Sequence, residues 1–145
     1  MVQKGILEKI RLDINQELYD EIRDLWKVHS IAEDNRDIPG LMSTLTDDCV
    51  YEIPQKNAKW VGLEGATNFY LELLGAFPDI NFDLQNIVIG PQGVFEEAIV
   101  TGTHKGRWLD NEPTGEKVEF NVTILFPWDH EKRKFSGERI YTDYF

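Results

Sequence analysis

Cysteine is nearly absent from this chain. Cys49 is the single thiol in 145 residues, so no internal disulfide can form and the core alone must hold the fold. No apolar run reaches the ~18 residues of a bilayer-spanning helix, and no basic stretch leads into an apolar one as in a leader, so a cytoplasmic protein with no membrane partner is expected. Basic side chains are scarce: 15 Lys and Arg stand against 26 Asp and Glu, a formal charge of -11. Such a surface repels phosphate backbones and anionic lipid, which argues against a nucleic-acid partner. The three histidines, His29, His104 and His130, show no metal-ligand spacing, and one cysteine makes no zinc set. Gly62-Leu63-Glu64-Gly65 lacks the Lys and Ser/Thr of a phosphate cradle, and no serine sits in a nucleophile elbow. No metal and no cofactor are therefore expected.

At 145 residues the chain is read as one domain, able to bury roughly two-thirds of its unfolded surface. Residues 1–14 read as a helical N-terminal arm. From Leu18 through Ile22, Leu25, Trp26, His29 and Ala32 the apolar positions recur every three or four residues, which predicts a helix of about Asn15–Glu33. Pro39 predicts the start of a short helix over Gly40–Leu45, capped near Asp37 or Ile38. Cys49–Ile53 reads as a strand stopped by Pro54, Trp60–Gly62 as a short extended piece, and Leu63–Phe77 as a helix with Phe69, Tyr70, Leu73 and Leu74 on one side. Ile80–Ile89 alternates as a strand. Three further strands follow, near Val94–His104, Val118–Trp128 and Gly137–Asp143, the first two joined by a turn rich in Gly, Pro, Asn and Asp.

Helices first and strands last is an α+β order, in which helices cover one face of a curved antiparallel sheet and leave a cone with an open end. Over about Tyr19–Asp143 the chain resembles the nuclear transport factor 2-like superfamily, a cystatin-like roll, and within it the SnoaL-like polyketide cyclases. Asp47-Asp48-Cys49-Val50-Tyr51, Trp60-Val61-Gly62-Leu63-Glu64-Gly65, Phe77-Pro78-Asp79, Gly102-Thr103-His104-Lys105-Gly106 and Pro113-Thr114-Gly115 carry the resemblance.

That resemblance implies a small hydrophobic, polyketide-like ligand and an intramolecular aldol step that needs no cofactor, driven by a pocket carboxylate whose pKa burial raises. The candidates are Asp143, Glu138 and His104. Asp143 stands at the strand end where relatives carry an Asp. A register set on Phe135 instead puts Ile140 at the catalytic place and turns Glu138 and Ile140 inward and Asp143 away. His104 shares a strand face with Ala98, Val100 and Gly102, and is either a holder of the substrate oxygen or a strand-end His bonded to a backbone carbonyl. Tyr51, Trp60, Phe69, Trp108 and Tyr141 form a candidate aromatic wall, and His29 a pocket floor or a satisfied core residue. His130, in a charged turn, reads as solvated.

The resemblance extends to the limonene-epoxide hydrolases, but Ile53, Ala98 and Val100 stand where their water-holding Asn and Arg–Asp relay would be. Relatives continue beyond this Asp into a helical tail, so a more open mouth is expected here. A non-catalytic binding or dimerisation module is the alternative. The strand Val118–Trp128, with Leu125 added to its apolar alternation, carries more apolar surface than one packed face needs, which predicts a homodimer.

Overall fold

Two strands far apart in the sequence, Leu45–Ile53 and Lys134–Thr142, lie side by side in the sheet of this molecule. The computed structural model describes residues 3–144; Met1 and Val2, which belong to the expected arm, and Phe145 lie outside them. In chain order the elements are α1 (Lys4–Ile10), α2 (Gln16–Asp34), α3 (Ile38–Met42), β1 (Leu45–Ile53), a 3-10 turn (Pro54–Lys56), β2 (Ala58–Val61), α4 (Gly62–Ala76), β3 (Asn81–Gly90), β4 (Gly93–Thr103), β5 (Lys117–Asp129) and β6 (Lys134–Thr142). The six strands make one curved, unclosed sheet ordered β2-β1-β6-β5-β4-β3. Its pairs are antiparallel except β1 with β6, which run parallel, so the sheet departs from the purely antiparallel one expected. Among the described residues no helix is long and apolar enough to cross a membrane.

Local chemistry explains the helix ends. The Asn15 side chain accepts the Leu18 N–H at 2.8 Å and starts α2, and Asp37 caps α3 by accepting from Gly40 N–H at 3.0 Å. The short helix therefore begins and ends earlier than Pro39 alone suggests. Leu45 is drawn instead into β1, where Phe135 N–H donates to Thr44 O beside it.

Helices α2 and α4 lie on the concave face of the sheet. Between them and the sheet pack Ile22, Tyr51, Phe69, Tyr70, Phe77, Phe126 and Phe135, all buried. Strands β4 and β5 alternate cleanly. Val94, Ala98 and Val100 on β4, and Val122, Ile124, Phe126 and Trp128 on β5, face the core.

One irregularity aims β6. Phe135 pairs with Trp128 and Arg139 with Leu125, so β6 carries one residue more than β5 across that interval. The added residue reverses the alternation, and Glu138, three residues beyond Phe135, points inward with it. Gly137 sits in this bulge at φ +122, a conformation that side chains resist.

Candidate functional site

Two ionisable side chains meet inside the core. His29 on α2 is 2 % exposed and Glu138 on β6 is 3 % exposed, with Nε2 of the ring 3.1 Å from Oε2 of the carboxylate. The Thr44 hydroxyl donates to Leu41 O at 2.7 Å, so its oxygen is free to accept from His29 Nδ1–H at 2.9 Å. That fixes Nδ1 as a donor and leaves one proton shared between Nε2 and Glu138.

Two tyrosines complete the cluster. Tyr70 on α4 donates to Glu138 Oε2 at 3.0 Å and lies 3.2 Å from His29 Nε2, while the Tyr51 hydroxyl on β1 stands 2.7 Å from that of Tyr70. With the Tyr70 proton committed to Glu138, Tyr51 is the donor of that last bond. Burial, reinforced by the negative charge of Glu138, holds both phenols well above their ordinary pKa, so they act as hydrogen-bond donors.

The cluster opens on a cavity. Glu138 and Glu33 share its wall with Phe69, Trp108, Phe120 and Ile140 around about 490 Å³ of space, including its mouth. Among the described residues its lining carries no Lys or Arg. A second, more polar chamber adjoins it, lined by Trp26, His29, Ser30 and Glu96. Glu33, Phe82 and Ile124 belong to both.

Glu33 and Glu96 carry displaced proton affinities. Burial is the main cause for Glu33, with the charges of Glu138, Glu96 and Asp34 adding to it against Arg36, and its carboxyl titrates well above the usual range. Burial and then Glu138 push Glu96 up to about 8, against a hydrogen bond from Trp26. In the unfolded chain Glu96 returns to an ordinary value near 4.5. The folded state therefore holds the extra proton between about 4.5 and about 8, and stability falls as pH rises through that window. Glu96→Gln removes this loss. Its melting temperature is expected to exceed that of the parent by ~3 °C or more at pH 8.5 and to match it within ~1 °C at pH 5. Thermal melts at the two pH values check this, and equal shifts at both would show that Glu96 does not titrate there.

The structure separates the other sequence candidates. Asp143 is exposed beyond β6, its two oxygens accepting from Asn121 N–H at 2.8 Å and Asn121 Nδ2 at 3.0 Å, and these bonds hold its carboxyl below the ordinary range. It faces away from the cavity, as the Phe135 register requires, with Ile140 in the wall instead. His104 is fully buried after β4, but its Nδ1 pairs with the Tyr144 hydroxyl at 2.7 Å rather than with a backbone carbonyl, and it does not line the cavity.

Phe69 and Trp108 form the wall. Trp60 stacks behind Trp108 with ring centres 6.5 Å apart and rings 7° from parallel, and Tyr51 backs Phe69 at 4.9 Å. Tyr141 is 39 % exposed, its hydroxyl accepting from Arg139, and takes no part in the wall. His130 is exposed with its Nε2 on Pro91 O. Among the described residues no group of three or more His, Cys, Asp or Glu is placed to hold a metal ion.

The family model for SnoaL-like polyketide cyclases matches residues 16–144. The chain belongs to that family. Among solved structures, a proposed SnoaL-like polyketide cyclase from Jannaschia sp. CCS1 superposes with a TM-score of 0.72 at 22 % identity, over 92 % of this chain and 90 % of the other. AclR, a proposed hydroxylase from Streptomyces galilaeus, gives 0.69 at 20 % identity over 86 % and 90 % of the two chains. IdmH, a proposed polyketide cyclase from Streptomyces antibioticus, gives 0.67 at 18 % identity over 84 % and 91 %. Curated proteins show no match. At these identities the structural likeness establishes the nuclear transport factor 2-like fold of this SnoaL-like chain, and its chemistry must be argued from its own residues.

Tyr70, Thr44, Glu33 and Glu96 are the site residues that sequence reasoning passed over. Two had a legible signal. Glu33 stands four residues after His29 on the stripe of α2, and Glu96 stands two before Ala98 on the inward parity of β4.

Proposed function

We propose that this SnoaL-like protein binds a small, flat, hydrophobic molecule in the Phe69–Trp108 chamber and acts on it as a cofactor-independent cyclase or isomerase. In this reading Glu138 takes a proton from the substrate and returns it, and His29 and Tyr70 hold the carboxylate in place. The observation that carries it is the His29–Glu138–Tyr70 cluster buried at the wall of an otherwise apolar chamber. A carrier needs only apolar walls, whereas an ion pair withdrawn from water costs stability unless it serves another purpose.

Flat aromatic ketones and phenols are expected to quench tryptophan fluorescence saturably, because the ligand would sit against Trp108 with Trp60 behind it. Trp108→Ala should weaken binding by ~10-fold, the order of one lost aromatic contact. Unchanged affinity in that variant would put binding elsewhere, and no saturable quenching across the panel would overturn the ligand class.

The protein is also proposed to be a homodimer in the cytoplasm. Val88, Phe95 and Leu125 lie side by side across β3, β4 and β5 on the face turned from the helices, with Val88 64 % and Phe95 48 % exposed. A second copy covering this row would remove it from water. Light scattering at micromolar concentration is expected to give twice the 16.8 kDa chain mass, and a monomer mass would refute it.

A further inference from the structure

Among the described residues Glu33 is the only ionisable side chain common to both chambers. It reaches the junction from the last turn of α2, one helical turn after His29, while Glu138 enters the first chamber from β6 on the sheet side. A ligand lying against Phe69 and Trp108 thus has one carboxyl group on the helix side and another on the sheet side. The two are provisioned differently. Glu138 receives Tyr70 O–H at 3.0 Å and lies 3.1 Å from His29 Nε2. Among the described residues no hydrogen bond reaches the Glu33 carboxyl, and no Lys or Arg lines either chamber.

We propose that Glu33 is a second catalytic residue, a carboxylic acid that donates a hydrogen bond to the carbonyl oxygen of a neutral, enolisable aromatic ketone while Glu138 removes the adjacent C–H proton. The inference rests on the reading of Glu138 as base and adds to it the acid and the substrate class. Its balance is complete. The C–H bond breaks, its proton passes to Glu138, the electron pair moves to the carbonyl oxygen, and that oxygen takes the Glu33 proton to give an enol. Where the enol is conjugated, Glu138 returns the proton to the far carbon of the dienol while the enol O–H gives its proton back to Glu33, which isomerises the ketone. Alternatively the enol carbon attacks a second carbonyl, whose broken π bond leaves an alkoxide that takes the proton held by Glu138 while the enol O–H returns its proton to Glu33, which closes a ring. A lining with carboxyl groups and no cation disfavours phosphorylated or carboxylate substrates, which leaves neutral ketones.

The surroundings of Glu33 favour its protonated form. Glu138 faces it from β6, Glu96 from β4, and His29 and Asp34 lie on its own helix, with Arg36 the one opposing cation named among its neighbours. Burial, with Glu138, Glu96 and Asp34 around it, is the cause. Two carboxyl groups in one chamber, one held by His29 and Tyr70 and the other surrounded by negative charge, are the arrangement that assigns one as base and the other as acid.

The test uses 2-tetralone, followed by exchange of its α-protons in D2O, and 2-naphthol, which has the shape and oxygen position of the 2-tetralone enol. In Glu33→Leu, exchange is expected to fall ~10²–10³-fold, the usual effect of losing one donor to a developing oxyanion, and 2-naphthol to bind ~10-fold more weakly. Glu33→Gln keeps a donor that cannot ionise. The decline of wild-type exchange at high pH should vanish in it, and this profile decides the matter should Glu33→Leu fail to fold. Exchange that depends on Glu138 but is unchanged in rate and pH profile by both Glu33 variants would overturn this inference and leave the base intact. Wild-type protein that binds 2-naphthol through Glu33 yet exchanges no 2-tetralone protons would overturn the base and retain the donor. Failure of both assays would overturn both.

Discussion

Glu138→Gln is expected to slow α-proton exchange of 2-tetralone by ~10²–10⁴-fold, the range that one positioned base supplies, while Asp143→Asn leaves it within ~2-fold. The contrast follows from placement. Glu138 lies in the cavity wall against His29 and Tyr70, whereas both oxygens of Asp143 are spent on Asn121 at the exposed end of β6. The same substitution should lower stability, because an amide facing His29 leaves a buried ring without its anion. Removing one partner of a buried pair costs about 3–5 kcal/mol, and the shared proton and the Tyr70 bond make this pair a strong one. A melting temperature at least ~6 °C lower is expected. Exchange assays and melts on both variants check the prediction. Equal losses in the two would show that neither carboxylate is the base, and an unchanged Glu138→Gln would remove this residue from the mechanism.

Gly137→Ala is expected to be the most disruptive single methyl group in the molecule. A Cβ at that position would meet Val50 O at 1.9 Å and Val50 C at 2.6 Å, in a backbone at φ +122 that alanine resists. Both obstacles are backbone atoms of the neighbouring strand, so no side chain can swing aside. Relief requires β1 and β6 to part or the bulge to slip, and a slip by one residue turns Glu138 out of the core. Poor yield of folded protein is the expected outcome, and any folded fraction should show lost exchange activity out of proportion to its melting temperature. Glycine-like stability and exchange in this variant would mean that the bulge does not fix the aim of Glu138.

Much of the fold was open to reading because helices and strands write their periods into the chain. The stripe from Leu18 to Ala32 gives α2 nearly to its ends, and the alternation of Val118 to Trp128 gives β5 with its inward face. The site was legible only in parts. Glu138, His29, Phe69 and Trp108 were among the candidates, but their meeting depends on β6 lying parallel to β1, a pairing that no local period announces. Asp143 drew attention as a carboxylate at a strand end. The one-residue bulge at Gly137 decides parity, and glycine reports a bulge far less clearly than apolar spacing reports a helix. Tyr70 was read as core, correctly for its ring. Its hydroxyl has a second task that hydrophobic patterning cannot express.

The adjacency of β1 and β6 also sets a schedule. Tyr51 and Glu138 are neighbours in the sheet although 87 positions separate them, so the chain must close a long loop before this parallel pair can form. Such distant pairings slow folding, and during synthesis β1 waits with an unfilled edge until almost the whole chain has left the ribosome. The hairpin of β3 and β4, whose partners are close in sequence, can form first and present β4 to β5 as a template. The His29–Glu138 contact is therefore among the last to be made, and a polypeptide halted before β6 has a cavity wall without Glu138.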